Sequence, residues 1–289
     1  MRKRLIAFIL FILVGLILLF DHTSALLMSP LSTPSSFLQS MPYVTITIFD
    51  FEVVLIQPSS TFFIYLLGLL MILLGIFFFW TKANQKSRFL FGIGLILWGV
   101  GALLAGTSYQ AFGYVLKCQG LDYCVFTSKF ELLYLLMTAY SINFILAGVA
   151  YLEKDEFRRK KIIQFAIYHS LAYTLFLLIG VIVPNKFMVS YEGFMLFVGG
   201  EFILMFAMNL RNHLLHKDRL NKNFVVVWIL FLLVNLFYFI YLFSGVSTKL
   251  YELYQIWFNA NDVLHVLLIV WALSIYILLG KQLKDYQVE

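Results

Sequence analysis

The stretch 224-FVVVWILFLLVNLFYFIYLFS-244 carries no charged residue and is polar only at Asn235, its tyrosines and Ser244. A run of that length matches the roughly 20 residues a helix needs to cross a bilayer's hydrocarbon core. In lipid every backbone N–H and C=O must be satisfied within the segment, and the run lacks the alternation of a barrel strand, so it reads as a transmembrane helix.

Segments of the same kind recur along the chain. Candidate spans lie at Leu5–Phe20, Thr61–Trp80, Phe89–Ser108, Leu132–Leu152, Ile162–Val183, Phe194–Leu210, Phe224–Ser244 and Asp262–Gly280. Composition agrees: the 289 residues are 62% hydrophobic and 12% charged, about half the charge of a soluble domain. The expected fold is an all-α seven-helix transmembrane bundle over 61–280, with a cytoplasmic tail at 281–289. MRKR, an apolar core and Thr23-Ser24-Ala25 at the start fit an uncleaved signal anchor over 1–20 and a cleaved signal peptide equally well.

Basic residues set the orientation. Of the 21 Lys and Arg, all but Lys117, Lys129, Lys186 and Lys249 fall on the side that holds the N-terminal MRKR and residues 281–289. The positive-inside rule makes that side cytoplasmic. The formal charge of +6 thus describes topology and gives no reason to expect a nucleic-acid partner. A bacterial inner membrane and a eukaryotic membrane fit alike.

Two outer segments have a different character. Residues 21–60 hold the punctuated LMSPLSTPSS, and Tyr43–Phe49 alternates Thr with aliphatics, as a short strand or hairpin over the outer mouth does; a plain tether is the alternative. Lys249–Phe258 sets Leu250, Leu253, Tyr254 and Trp257 at i, i+3, i+4 and i+7, the pattern of an interfacial amphipathic helix.

The stretch 106-GTSYQAFGYVLKCQGLDYCVFTSKFE-131 interrupts the apolar pattern and holds both cysteines. Cys118 and Cys124 share one outer connection, where an oxidising compartment favours a disulfide. Ser108 and Gln110 end one span, Glu131 opens the next, and Asp262 with His265 opens the last from the same side. At i, i+3 the last two share a helix face. Two carboxylates and an imidazole at one depth suit a metal or acid–base site. The plainer reading makes Asp262 a first-turn residue, with Asn259 or Asn261 as the cap. Deeper in their spans lie Asn143, His169, Glu201 and Asn235. The asparagines read as interhelical hydrogen-bond partners. Glu201 must face the bundle interior, with His169 as its partner or both on a proton or solute path. Gly199-Gly200 beside it would admit a neighbouring helix closely.

This order of elements resembles the CREST superfamily, seven-helix membrane proteins that include alkaline ceramidases and progestin/adipoQ-type receptors. The resemblance implies a zinc-dependent hydrolase of lipid amides or esters, with Glu131, Asp262 and His265 on zinc and Ser108 and Gln110 orienting water or an oxyanion. Gln110 stands where the family carries a histidine, and Asp262 with His265 where it carries paired histidines. The metal is therefore held in another geometry or has been lost. The competing expectation is a non-enzymatic sensor, small-solute transporter or assembly factor whose polar rim holds a lipid or small-molecule ligand. The sequence carries no phosphate loop, dinucleotide fingerprint or haem-attachment motif.

Overall fold

A computed structural model describes residues 14–15, 32–48 and 51–286. The first candidate span, Leu5–Phe20, lies almost wholly outside the described residues. A short helix α1 (Pro34–Gln39) precedes an antiparallel hairpin of β1 (Tyr43–Ile48) and β2 (Phe51–Ile56), which pairs Tyr43 with Ile56 and Ile48 with Phe51. The Thr/aliphatic alternation is thus one arm of a two-stranded hairpin.

Seven helices long and apolar enough to span a membrane follow. They are α2 (Pro58–Trp80), α3 (Lys86–Ala105, extended by a π-helical segment over Gly106–Ala111), α5 (Lys129–Ala150), α6 (Glu156–Ile182), α7 (Tyr191–His216), α8 (Arg219–Ser244) and α10 (Ala260–Leu279). Two short helices, α4 (Gly113–Lys117) and α9 (Val246–Tyr254), lie in connections at the end of the bundle that carries the cysteines. That end is called the disulfide end here, and the opposite one the basic end.

Several helices start further out than their apolar stretch. α6 begins at Glu156, before the apolar run at Ile162, because Asp155 caps it by accepting from Phe157 and Arg158 N–H. Ser128, Ser190, Asp218 and Asn259 cap α5, α7, α8 and α10 in the same way; each satisfies N–H groups that a helix start otherwise leaves open.

The helices close a ring. α3 packs on α2 and α5, α5 on α6 and α7, α7 on α8, α8 on α10, and α10 back on α2. α5 is the most enclosed, with 72% of its apolar window buried against 28% for α8, which faces outward along most of its length. Glycines set the tightest contact. A Cβ on Gly75 would stand 2.6 Å from Gly92 O, and one on Gly99 would stand 2.5 Å from Gly68 O. The α2 and α3 backbones therefore touch along a seam that no larger residue fits.

Two expectations need correction. A Cβ at Gly199 or Gly200 would meet nothing within 4 Å, so among the described residues no helix uses that pair for close approach. The interfacial helix is displaced: α9 ends at Tyr254, Gln255 turns left-handed at φ 56°, and Trp257 lies outside it with its Nε1 donating to Ser60.

At the basic end the tail folds back onto the bundle. Asp285 accepts from Lys86 N–H (2.8 Å) and Ser87 N–H (2.7 Å) and so caps α3. Arg88, itself buried, donates to Gly280 O and Leu283 O at the end of α10. Tyr286 N–H donates to Tyr151 O at 3.0 Å.

Candidate functional site

Near the disulfide end α3 changes pitch. Over Gly106–Ala111 the bonds run from residue i to i−5, as in Phe112 N–H to Thr107 O at 2.9 Å. Such wide turns recur at functional positions of helices. Thr107 supports the turn by donating to Leu103 O, and it also bonds the Tyr65 hydroxyl. The next residues then point different ways. Ser108 faces α5, while Tyr109 and Gln110 face the middle of the ring.

In the ring lies a cavity of about 420 Å³, within the range of roughly 300–1,000 Å³ common for small-molecule sites. It runs from Phe126 and Tyr191 at the disulfide end to Trp98, Phe202 and Leu268 near mid-bundle. Its wall is mostly aromatic and aliphatic, with Gln110, Glu131, Thr138, Ser190, Glu192, Asn235, Asn261 and His265 as polar members. Two of these are buried with an atom left over: Gln110 Oε1 and His265 Nδ1 have no hydrogen-bond partner within the described residues. Asn235 is occupied, its amide donating to Phe231 O at 2.8 Å.

Glu131 sits at the cavity edge in a hydrogen-bonded cluster. Its Oε1 accepts from Lys117 Nζ at 2.8 Å and from Ser108 Oγ at 2.9 Å, and Ser108 also bonds the Ser128 hydroxyl. Lys117 lies 5.1 Å from the Tyr109 ring centre, a cation–π contact. The Cys118–Cys124 disulfide follows Lys117 directly, and Val125 N–H donates to Lys117 O. The expected disulfide is present, and it fixes the residue that neutralises Glu131. Neither Lys117 nor Ser128 stood out in the sequence. The available signal was that Lys117 is one of only four cations on the sparsely basic side.

The other singled-out residues divide. Asp262 is fully buried but does not line the cavity; it forms a capping box with Asn259, whose N–H it accepts at 2.8 Å. That is the first-turn role with Asn259 as cap. Ser108 is fully buried outside the cavity wall. Glu201 finds His169, with Nδ1 2.9 Å from Oε1, within ion-pair distance but off hydrogen-bond alignment, so both carboxylate oxygens lack a hydrogen bond among the described residues. Asn143 lies beside them, 3.4 Å from the same imidazole nitrogen, and its amide donates to Ala139 O. These three form a separate cluster between α5, α6 and α7.

The zinc ligand set can be tested on these contacts. Glu131 Oε1 is taken by an ammonium and a hydroxyl, Asp262 Oδ2 by a backbone N–H, and only Glu131 and His265 reach the cavity. Among the described residues no group of three or more His, Cys, Asp and Glu converges as metal ligands. A cation already paired with Glu131 opposes a second one there, while Asp262 Oδ1 and His265 Nδ1 have no hydrogen-bond partner among the described residues. What the arrangement can do is enclose an amphiphilic molecule and meet its polar group with one amide oxygen and one imidazole nitrogen. Compared with family models, curated proteins and solved structures, the chain matches none of them.

Proposed function

We propose that this chain is a non-enzymatic membrane protein that binds a small amphiphilic molecule in its bundle cavity, with the disulfide end facing outward. The observation that carries the reading is a largely apolar cavity whose wall holds Gln110 Oε1 and His265 Nδ1, both buried and both unpaired. A buried polar atom without a partner costs about 1–3 kcal/mol. A ligand that supplies a donor to Gln110 and a hydrogen-bonding group to His265 recovers that loss, while the rings of Trp98, Phe202 and Phe231 bury its apolar body. The outward orientation is supported by the uneven spread of Lys and Arg and by the disulfide, which persists in oxidising surroundings.

The test is to purify the protein in mild detergent, extract bound small molecules and quantify them by mass spectrometry. Leu268→Trp, which fills the cavity, and Gln110→Leu, which removes one polar contact, run alongside. A compound present near one per chain in the wild type and depleted in both variants supports the reading. If no compound distinguishes the wild type from Leu268→Trp, binding in this cavity is ruled out.

A further inference from the structure

A second cleft, of about 530 Å³, opens at the basic end between the α5–α6 turn, the end of α7, the start of α8 and the tail. Its wall brings Lys154, Arg158, Arg211 and Lys284 together with Glu153, Asp155, Asp218 and Asp285. By formal charge the two sets cancel, but they are not equally available. Asp155, Asp218 and Asp285 each accept backbone N–H groups at a helix start, and Asp155 also pairs with Arg158. Glu153 is buried and accepts from Asn212 at 2.8 Å. Every carboxylate is turned toward a donor of the fold, and helix dipoles absorb the charge of the three aspartates.

Apart from Arg158, the cations are not committed in this way. Arg211 and Lys284 make no ion pair with a described residue, and Lys154 only lies over the Tyr286 ring at 5.1 Å. The Tyr286–Tyr151 bond holds the tail against the α5–α6 turn, which carries Lys284 toward Lys154. On its membrane side Arg211 shares a helix face with Ala207 and Ile203, four and eight residues back; Ala207 is exposed and Ile203 is 69% exposed. Free cations in a cleft, above exposed apolar side chains on the membrane side of the same helix, match a molecule with an anionic head and acyl chains.

We infer that this cleft binds the phosphodiester headgroup of an anionic phospholipid, held by Arg211 and Lys284 with Lys154 at its rim, while the acyl chains lie along Ala207 and Ile203. The shared chemistry is a phosphoryl group, which Arg and Lys both bind well. The apolar flank is what selects a lipid over free phosphate. The inference is independent of the cavity at the other end of the bundle.

The experiment is native mass spectrometry of the full chain in detergent, titrated with phosphatidylglycerol and with phosphatidylcholine of matched chains. Removing one surface cation near a membrane weakens anionic-lipid binding about fivefold, so Arg211→Gln/Lys284→Gln is expected to weaken phosphatidylglycerol retention about 25-fold. A control pair at the same end but outside the cleft, Lys222→Gln/Lys281→Gln, is expected to change it less than twofold. Excess glycerol 3-phosphate should leave the lipid in place. Equal retention of the two lipids, an equal loss in the control pair, or displacement by glycerol 3-phosphate would each overturn the proposal. Arg211 and Lys284 are exposed, and matching thermal midpoints will show that the variants remain folded.

Discussion

Lys117 and Glu131 make the sharpest demand on the fold, because each is nearly dry: their side chains are 10% and 2% exposed. Lys117→Met keeps the length of the stem and removes the charge. The carboxylate is then left with hydroxyl partners, and breaking a buried pair from one side costs about 3–5 kcal/mol. Glu131→Gln is expected to cost less, about 1–2 kcal/mol. Its oxygen still accepts from Ser108, and the Lys117 ammonium, already at the rim, can swing into water on its flexible stem. The double variant Lys117→Met/Glu131→Gln leaves no uncompensated charge, so it should fall well short of the summed single losses, with a coupling of about 2 kcal/mol. The assay is denaturant or thermal unfolding in detergent, followed through the five tryptophans. A double variant equal to the sum of the singles would refute the claim that a desolvated ion pair closes this wall, and Glu131→Gln proving as harmful as Lys117→Met would refute the release of Lys117 into water.

Other expectations follow from neighbouring contacts. Gly75→Leu or Gly99→Leu should strongly reduce the folded yield in detergent, because their Cβ atoms would meet backbone at 2.6 and 2.5 Å, whereas Gly199→Leu and Gly200→Leu should leave it unchanged; size-exclusion profiles read the difference. Cys118→Ser/Cys124→Ser opens a loop of sequence separation 6 and is expected to lower stability by about 2 kcal/mol, an effect reductant should reproduce in the wild type and not in the variant. Asp285→Asn weakens the cap on α3 by about 1 kcal/mol, seen as faster backbone hydrogen exchange at residues 86–89.

The seven-helix architecture was legible because bilayer thickness imposes one length on every span, as Phe224–Ser244 shows. Helix ends were less so. Apolar content marks where lipid is, and α6 runs a turn and a half beyond it through Glu156–Lys161, which water tolerates. The pairing of Glu201 with His169 and of Cys118 with Cys124 could be anticipated, since few partners of the right chemistry were available. The commitments of Lys117, Ser128, Arg88 and Asp285 could not, because each partner is remote in sequence or lies in a connection where polar residues are ordinarily hydrated. Asp262 shows the reverse limit: an Asp in a first turn looks the same in sequence whether it caps a helix or holds a metal.

The bond from Asp285 to Lys86 joins residues 199 positions apart, and this has a consequence for biogenesis. At about 5–20 residues per second, residue 285 leaves the ribosome at least about 10 s after residue 86. The α2–α3 hairpin therefore enters the membrane with the start of α3 uncapped, and Arg88 waits as long for the carbonyls of α10. Closure of the ring at the basic end is a late, post-insertion event, and until then the nascent bundle depends on its glycine seam.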